Sequence, residues 1–265
     1  MSCESSFAGL AAWRRAVEEV AACAAPTARF LTPVIMTGSV GISRRRKTDR
    51  DQRERFSDAR SSLAVIPGAY NPPTRAHLAL AEGARARGFD RVLFSLGTVT
   101  LDKPESGLAL EERLWLLAEI ASGREGLGVV VHNRGLYAEQ AEALLRASPG
   151  VKPLTFVLGM DKIGQILDPR YYRDFESSLA ALFDRARLLV APRGELDHAA
   201  LERLVAAEPA RRYADCVEFL EFDPRWRTLS ATAVRERLAR GESAEEWLPE
   251  PVTRYLRQRG PIFTA

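Results

Sequence analysis

The sequence predicts an α/β fold, a Rossmann-like doubly wound parallel sheet with helices on both faces. Two observations support this prediction. From Leu63 onward, short apolar runs alternate with amphipathic helical patterns, which is typical of strand–helix–strand units. The apolar runs are also nearly continuous rather than alternating, as expected for parallel strands that are buried on both faces.

The individual elements follow from hydrophobic periodicity and from the positions of Gly and Pro. Predicted strands cover residues 63–66, 92–94, 129–131, 154–158, 188–190 and 217–222. Predicted helices cover residues 75–87, 110–120, 136–147 and 230–239. No internal repeat is visible, so the pattern indicates one sheet with crossover helices.

Residues 1–62 differ from the rest and are predicted to form an N-terminal extension to a main domain of residues 63–265. Leu10, Trp13 and Val17 recur at helical spacing, which predicts an amphipathic helix over residues 7–24. A charged run over residues 44–60 predicts a flexible tether. A basic anchor for an anionic partner and a transit peptide stay open as alternatives, although the acidic residues of the segment count against the second.

Composition excludes several classes of protein. The 265 residues include 38 Lys and Arg and 35 Asp and Glu, for a net charge of +3, whereas a nucleic-acid-binding protein is expected to have a dominant basic face. No apolar run approaches the length of a membrane span. The three widely spaced cysteines and three histidines indicate a reducing, cytoplasmic setting and predict no metal-ligating cluster. A homo-oligomer is compatible with the sequence.

A turn over residues 67–78 follows the first predicted strand and leads into the first predicted helix of the main domain. It contains Gly68, Asn71, Thr74 and His77. In open α/β sheets, ligands bind beyond the carboxyl ends of the strands. Because His77 lies one helical turn after Thr74, both side chains are expected to face the strand end and to donate to a phosphate group.

A second candidate site covers residues 229–235, where Ser230 is expected to cap a helix. The N–H groups of the first helical turn, with the Ser230 and Thr232 hydroxyls, would bind phosphate, and Arg235 would reach the same anion. A third candidate covers residues 156–161, where Asp161 follows a strand that ends at Gly159. Its carboxylate would accept hydrogen bonds from ribose hydroxyls, or else cap a helix.

The turn over residues 67–78 resembles the nucleotidyltransferase superfamily signature G-x-[FY]-[DN]-P-[PI]-[HT]-x-G-H, with Thr74 in place of the first histidine and Ala76 in place of the glycine. The segment over residues 229–235 resembles the second signature of that superfamily, [IL]-S-[SA]-T-x-[IV]-R. The Thr form looks most like nicotinamide or nicotinate mononucleotide adenylyltransferases. The resemblance covers residues 63–259 and implies that residues 63–265 form a nucleotidyltransferase domain.

The resemblance also implies roles for particular residues. Thr74, His77 and Arg235 would be catalytic. Tyr171 or Tyr172 would stack on the pyridine ring, or else pack on the core. Lys103 and Arg113 occupy places where the family often has cations, although the family string Pro-x-His-Lys is missing around Lys103. The residues expected to bind nucleotide or substrate are Gly68, Ala69, Tyr70, Asn71, Lys103, Arg113, Gly159, Asp161, Tyr172, Ser230 and Thr232.

The implied reaction transfers AMP from ATP to nicotinamide or nicotinate mononucleotide, with release of pyrophosphate, in NAD biosynthesis. Mg²⁺ would accompany ATP, bound mostly through the phosphates and water. Two alternatives stay open at this point. One is a cytidylyltransferase or another nucleotidyltransferase that activates a phosphate, and the other is a non-catalytic regulatory protein that binds nucleotide. The sequence does not choose between the amide and acid forms of the pyridine ring.

Overall fold

The computed structural model describes residues 3–32, 62–99, 107–151 and 154–263. Within these residues, seven strands form one sheet in the order β1-β4-β3-β2-β5-β6-β7. The strands are β1 (Ala28–Phe30), β2 (Leu63–Pro67), β3 (Arg91–Gly97), β4 (Leu127–His132), β5 (Leu154–Gly159), β6 (Ala186–Ala191) and β7 (Val217–Phe219).

The helices of the described residues are α1 (Cys3–Ala21), α2 (Arg75–Ala86), α3 (Leu110–Ala121), α4 (Tyr137–Ala147), α5 (Met160–Ile166), α6 (Phe175–Arg185), α7 (His198–Ala206), α8 (Ala231–Ala239) and α9 (Glu250–Arg259). Short 3₁₀ turns cover Pro169–Tyr171, Ala210–Cys216, Pro224–Trp226 and Glu245–Trp247. None of the described helices is long and apolar enough to span a membrane.

The strands β2 to β7 pair in parallel, and helices pack on both faces of the sheet. Alternate residues of β2 enter opposite cores, with Ala64 and Ile66 on one face and Leu63 and Val65 on the other. The predicted doubly wound α/β fold is therefore confirmed. The strand order reverses between β2 and β5, and in folds of this kind the ligand crevice lies at that reversal.

The N-terminal segment packs against the sheet and against α3. The predicted helix is present as α1, and Trp13 and Val17 pack on the core of the main domain. The strand β1 was not predicted from the sequence, and it pairs antiparallel with β4. The Asn133 side chain fixes the connection, because its amide donates to the Cys23 and Ala25 carbonyls and its oxygen accepts from the Thr27 amide.

Two sequence predictions about this segment are not decided. The tether predicted over residues 44–60 lies outside the described residues. The division of the chain at residue 62 stays a prediction.

Candidate active site

A cavity of about 400 Å³ opens at the carboxyl edge of the sheet, where β2 and β5 diverge. Its walls are the loop after β2, the ends of β5 and β6, and the N-terminal turn of α8. The structure brings most of the predicted site residues to this cavity. Those that line it are Gly68, Ala69, Asn71, His77, Arg113, Gly159, Asp161, Ser230, Thr232 and Arg235.

His77 lies in the first turn of α2 and is held in one tautomer by Thr74. The Thr74 backbone N–H donates to Nδ1 of His77 over 2.9 Å, and the Thr74 hydroxyl oxygen lies 2.9 Å from the same nitrogen. Because Nδ1 accepts, the ring proton is on Nε2. Burial and, to a smaller extent, the positive charge of Arg193 together lower the pKa of His77 from 6.5 to about 4. At neutral pH the imidazole is therefore an uncharged donor at the cavity wall.

Tyr70 forms the support behind His77. Its ring is fully buried and contacts the rings of His77 and Phe94, with centroids 4.7 and 5.8 Å apart. Its hydroxyl donates to the Ile66 carbonyl, and its backbone φ of 50° lies in the left-handed region, which is uncommon for a non-glycine residue. A Cβ at Gly68 would lie 2.9 Å from this ring, so the turn requires glycine there.

Arg235 joins the two predicted phosphate-binding segments. Its Nη1 donates to the Asn71 carbonyl over 2.7 Å, and its Nη2 donates to the Thr232 hydroxyl over 3.1 Å. Ser230 caps α8, because its hydroxyl oxygen accepts from the Ala233 amide over 3.0 Å. The N-terminal N–H groups of α8 thus face the same space as the loop after β2, and such a helix end favours a bound anion.

Arg113 approaches the cavity from α3. The side chain is buried, and its Nη1 donates to the Ala69 carbonyl over 3.0 Å. Its Nε lies 3.4 Å from the Ala109 carbonyl, which it faces as a donor. The guanidinium group is therefore aligned along the loop that contains Gly68 and Asn71.

Asp161 lies in the first turn of α5, where Gly159 is the N-terminal cap. The alternative that Asp161 caps the helix is wrong. Its carboxylate is folded back over the strand end, since a Cβ at Gly159 would lie 2.6 Å from Oδ1 of Asp161. A side chain at position 159 would displace the carboxylate from this place, so the glycine leaves room for it at the strand end.

Three of the predicted residues that the structure describes do not line the cavity. Thr74 is 1% exposed and contacts His77 from behind, so it positions the donor rather than presenting its own hydroxyl. Tyr70 is buried in the same way. Tyr172 packs on Phe175, and its hydroxyl donates to the Ile166 carbonyl over 2.9 Å, because a ring packed on the core satisfies its polar end locally. Lys103 lies outside the described residues.

The structure also adds lining residues that sequence reasoning did not assign. Arg193 follows β6, lines the cavity and donates from Nη1 to the Leu229 carbonyl over 2.7 Å. The only sequence signal for it is a Pro-Arg string after a predicted strand. Lys162, Phe222 and Trp226 also line the cavity. No local pattern could identify them, because their positions depend on how distant segments pack.

The charged side chains that line the cavity are predominantly basic. Among the described lining residues, the cations are Arg113, Lys162, Arg193 and Arg235, and the carboxylate is Asp161. No group of three or more His, Cys, Asp or Glu side chains in the described part of the chain is arranged to hold a metal ion. The arrangement fits a polyanion that extends from His77 to the N-terminus of α8.

Comparison with known proteins gives the class that the fold and the site define. No family model matches the sequence. The fold is similar to that of a nicotinic acid mononucleotide adenylyltransferase from Plasmodium falciparum complexed with NaAD, with a TM-score of 0.54 and 12% identity over 75% of this chain and 96% of the other. A second structure of that enzyme, complexed with APC, also has a TM-score of 0.54. The predicted resemblance to the nucleotidyltransferase fold is confirmed.

Comparison of sequences points to one group of enzymes within this fold. The chain is 29% identical over 210 residues to a probable nicotinate-nucleotide adenylyltransferase of Gloeobacter violaceus, covering 75% of this chain and 94% of that protein. It is 27% identical over 218 residues to the nicotinate-nucleotide adenylyltransferase of Salmonella typhi, covering 76% of this chain and 98% of that protein. Within the nucleotidyltransferases, the protein therefore resembles the nicotinate-nucleotide adenylyltransferases in particular.

Proposed function

We propose that the protein transfers AMP from ATP to nicotinate mononucleotide, releasing pyrophosphate and forming the dinucleotide of NAD biosynthesis. The observation that carries the proposal is the single cavity shared by His77 and the N-terminal turn of α8, which Arg235 ties together. The choice of nicotinate over nicotinamide rests on the names of the relatives, since no described contact in the cavity distinguishes the two rings.

In this reaction a phosphate oxygen of the mononucleotide attacks the α-phosphorus of ATP. The new P–O bond forms as the bond between the α-phosphorus and the bridging oxygen breaks, and pyrophosphate leaves with the electron pair. No covalent intermediate with the protein is needed. Negative charge develops on the α-phosphate and on the leaving group, so positioned donors and cations are the main catalytic requirement.

The described residues can be assigned to these requirements. The Nε2–H of His77 donates to the α-phosphate without a change of protonation, and Thr74 holds the ring. The N-terminal amides of α8, Ser230, Thr232 and Arg235 hold the leaving phosphates. Gly159 and Asp161 bind ribose hydroxyls. The remaining residues expected to contact substrate are Gly68, Ala69, Asn71, Arg113 and Arg193.

Mg²⁺ fits this site as a companion of ATP. The lining offers Asp161 as a carboxylate near a set of cations, so the ion would be held mainly by phosphate oxygens and water, as Mg²⁺ commonly is. When bound, the ion neutralises charge on the phosphates. We place the reaction in the cytoplasm, since the free thiols of Cys23 and Cys216 fit a reducing compartment.

A substrate panel tests the proposal. The full-length protein is incubated with Mg²⁺, either ATP or CTP, and either nicotinate or nicotinamide mononucleotide. Pyrophosphate and dinucleotide are measured together. We expect both products with ATP and nicotinate mononucleotide. Turnover with CTP but not with ATP would instead support a cytidylyltransferase. Nucleotide binding without any product would support the regulatory alternative.

A further inference from the structure

Glu112 and Arg113 form an unusual pair at the start of α3. Among the residues that the structure describes, they are the buried carboxylate and the buried guanidinium group, at 8% and 6% exposure. Burying a charged group is unfavourable unless hydrogen bonds and opposite charges compensate for the lost water. These two adjacent residues therefore need specific partners.

Glu112 is held by the C-terminal helix α9. Its Oε1 accepts from the Tyr255 hydroxyl over 2.5 Å and from Nε of Arg259 over 3.2 Å. The carboxylate raises the pKa of the Tyr255 hydroxyl, together with burial, which contributes more. The proton therefore stays on the tyrosine, whose hydroxyl donates to the Glu112 carboxylate.

The other oxygen of Glu112 fixes the backbone that aligns Arg113. Oε2 of Glu112 accepts from the Ala109 amide over 2.7 Å. The carbonyl of the same residue, Ala109, accepts from the Arg113 amide over 3.1 Å and faces Nε of Arg113 at 3.4 Å. From there Nη1 reaches the Ala69 carbonyl in the loop after β2. A continuous chain of hydrogen bonds thus runs from α9 to the cavity.

We propose that Glu112 is a positioning residue that holds the Arg113 guanidinium group at the cavity wall, and that α9 sets substrate affinity through it. The inference rests on the proposed function, in which Arg113 contacts a substrate. Glu112 does not line the cavity and has no contact with the reacting atoms. Its effect on the reaction passes through Ala109 and Arg113.

The first test is Glu112→Gln, which keeps the shape of the side chain and removes the charge that binds Tyr255 and Arg259. We expect the KM for one or both substrates to rise about tenfold, roughly the loss of one charged hydrogen bond, while kcat changes less than twofold. The matched control is Glu111→Gln. Glu111 is the neighbouring carboxylate and pairs with the exposed Arg14, so its loss should leave both constants unchanged. Equal effects of the two variants would overturn the proposal.

A double-mutant cycle separates this inference from the proposed function. If Glu112 acts through Arg113, Glu112→Gln should not raise KM further in an Arg113→Ala background. A full additional increase in that background would show that Glu112 acts by another route. An unchanged KM for Arg113→Ala alone would refute the proposed substrate contact of Arg113 and leave the positioning question to a measurement that does not depend on turnover.

That measurement is the hydrogen exchange of the Arg113 Nε–H, followed by NMR in the protein labelled with ¹⁵N-arginine. In the wild type this proton should exchange slowly, because the group is buried and faces the Ala109 carbonyl. In Glu112→Gln, and in Tyr255→Phe if the first variant does not fold, exchange should accelerate at least about tenfold. Unchanged exchange in a folded variant would overturn the positioning role.

Discussion

Nη1 of Arg235 donates to the backbone carbonyl of Asn71 over 2.7 Å, across 164 positions of the sequence. The bond joins the helix α8 to the loop after β2 at the mouth of the cavity. Nη2 of Arg235 also donates to the Thr232 hydroxyl on the same helix. The guanidinium group therefore fixes the distance between two segments that are proposed to hold the same triphosphate.

Arg235→Lys should impair catalysis although it keeps the charge. A lysine ammonium cannot reproduce the planar fork that reaches Asn71 and Thr232 together. We expect the rate of pyrophosphate release to fall about 10- to 100-fold and the free energy of unfolding to fall by about 1 kcal/mol. The control is Arg254→Lys, at an exposed ion pair with Glu250 on α9, which should change stability by less than about 0.5 kcal/mol. Similar rates for the two variants would contradict the role of the fork.

His77→Ala should abolish most of the chemistry and spare nucleotide binding. Removal of one positioned donor to a developing charge typically lowers kcat by about 10²- to 10³-fold. Stopped-flow or quenched measurement of pyrophosphate release at saturating substrate would give kcat, and calorimetry would give the affinity for ATP. The control, His198→Ala, removes an imidazole that is largely exposed on α7. If His77→Ala kept wild-type kcat, the proposed contact with the α-phosphate would be wrong.

Gly68→Ala should disturb the active site by displacing the Tyr70 ring that supports His77. The new methyl group would lie 2.9 Å from the Tyr70 ring, and this ring contacts His77 at 4.7 Å. Overpacking of this kind lowers stability by about 1–3 kcal/mol, and the shifted ring should also lower kcat. Gly164→Ala is the matched control, because a Cβ there meets nothing within 4 Å and helical Gly-to-Ala changes stabilise by about 0.5–1 kcal/mol. Crystal structures of both variants would show whether the Tyr70 and His77 rings move.

Stability should fall as the pH is lowered below 6.5. Burial lowers the pKa values of His77 and His132 from 6.5 to about 4. Between these values the unfolded chain binds protons that the folded protein does not, so the free energy of unfolding rises with pH by up to about 1.4 kcal/mol per pH unit for each histidine. This contribution is complete above pH 6.5 and is lost as the pH falls to 4.

Denaturant unfolding at several pH values between 4 and 7 would measure that slope. His132→Gln should reduce the slope, because one of the two buried imidazoles is removed. His198→Gln, which removes an exposed imidazole of α7, controls for the loss of a histidine outside the core. An identical slope in the wild type and in His132→Gln would exclude the buried histidine as a source of the pH dependence.

Arg193→Gln should move the acidic limb of the pH–rate profile to higher pH. The Arg193 charge disfavours the imidazolium form of His77, so its removal raises the pKa of that histidine. Because burial is the larger cause of the shift, the pKa should stay below 6.5. The profile of kcat/KM from pH 4 to 8 would locate the limb. Lys162→Gln also removes a cavity cation and should lower the plateau while the limb stays in place, and a limb that does not move in Arg193→Gln would contradict the proposed coupling.

The sequence predicts the elements whose formation depends on local patterns of residues. The apolar runs that begin at Leu63 and Leu154 became β2 and β5, because parallel strands are buried on both faces and need no partner-specific signal. The segments around His77 and Ser230 could be identified for a similar reason, since a turn at a strand end and a helix cap are local features. Their action at one site was implied by the resemblance of both segments to the two nucleotidyltransferase signatures.

Other features depend on tertiary contacts and had no local signal. The strand β1 contains only Ala28, Arg29 and Phe30, and its pairing with β4 defines it as a strand. Tyr70 and Tyr172 were expected at the ligand, but aromatic character does not reveal whether a ring faces a cavity or the core. Trp226 reaches the cavity from a 3₁₀ turn whose position is set by the packing of distant segments.

The short strand β1 has a consequence for how copies of this protein can associate. A parallel sheet that ended at β4 would present six consecutive residues of that strand to a neighbouring molecule. The three residues of β1 pair antiparallel with the exposed edge of β4. Because β1 is so short, it is a poor template for the pairing of a further strand. The N-terminal segment therefore covers the β4 edge of the sheet, at which strands of two molecules could otherwise pair and fibres could begin to grow.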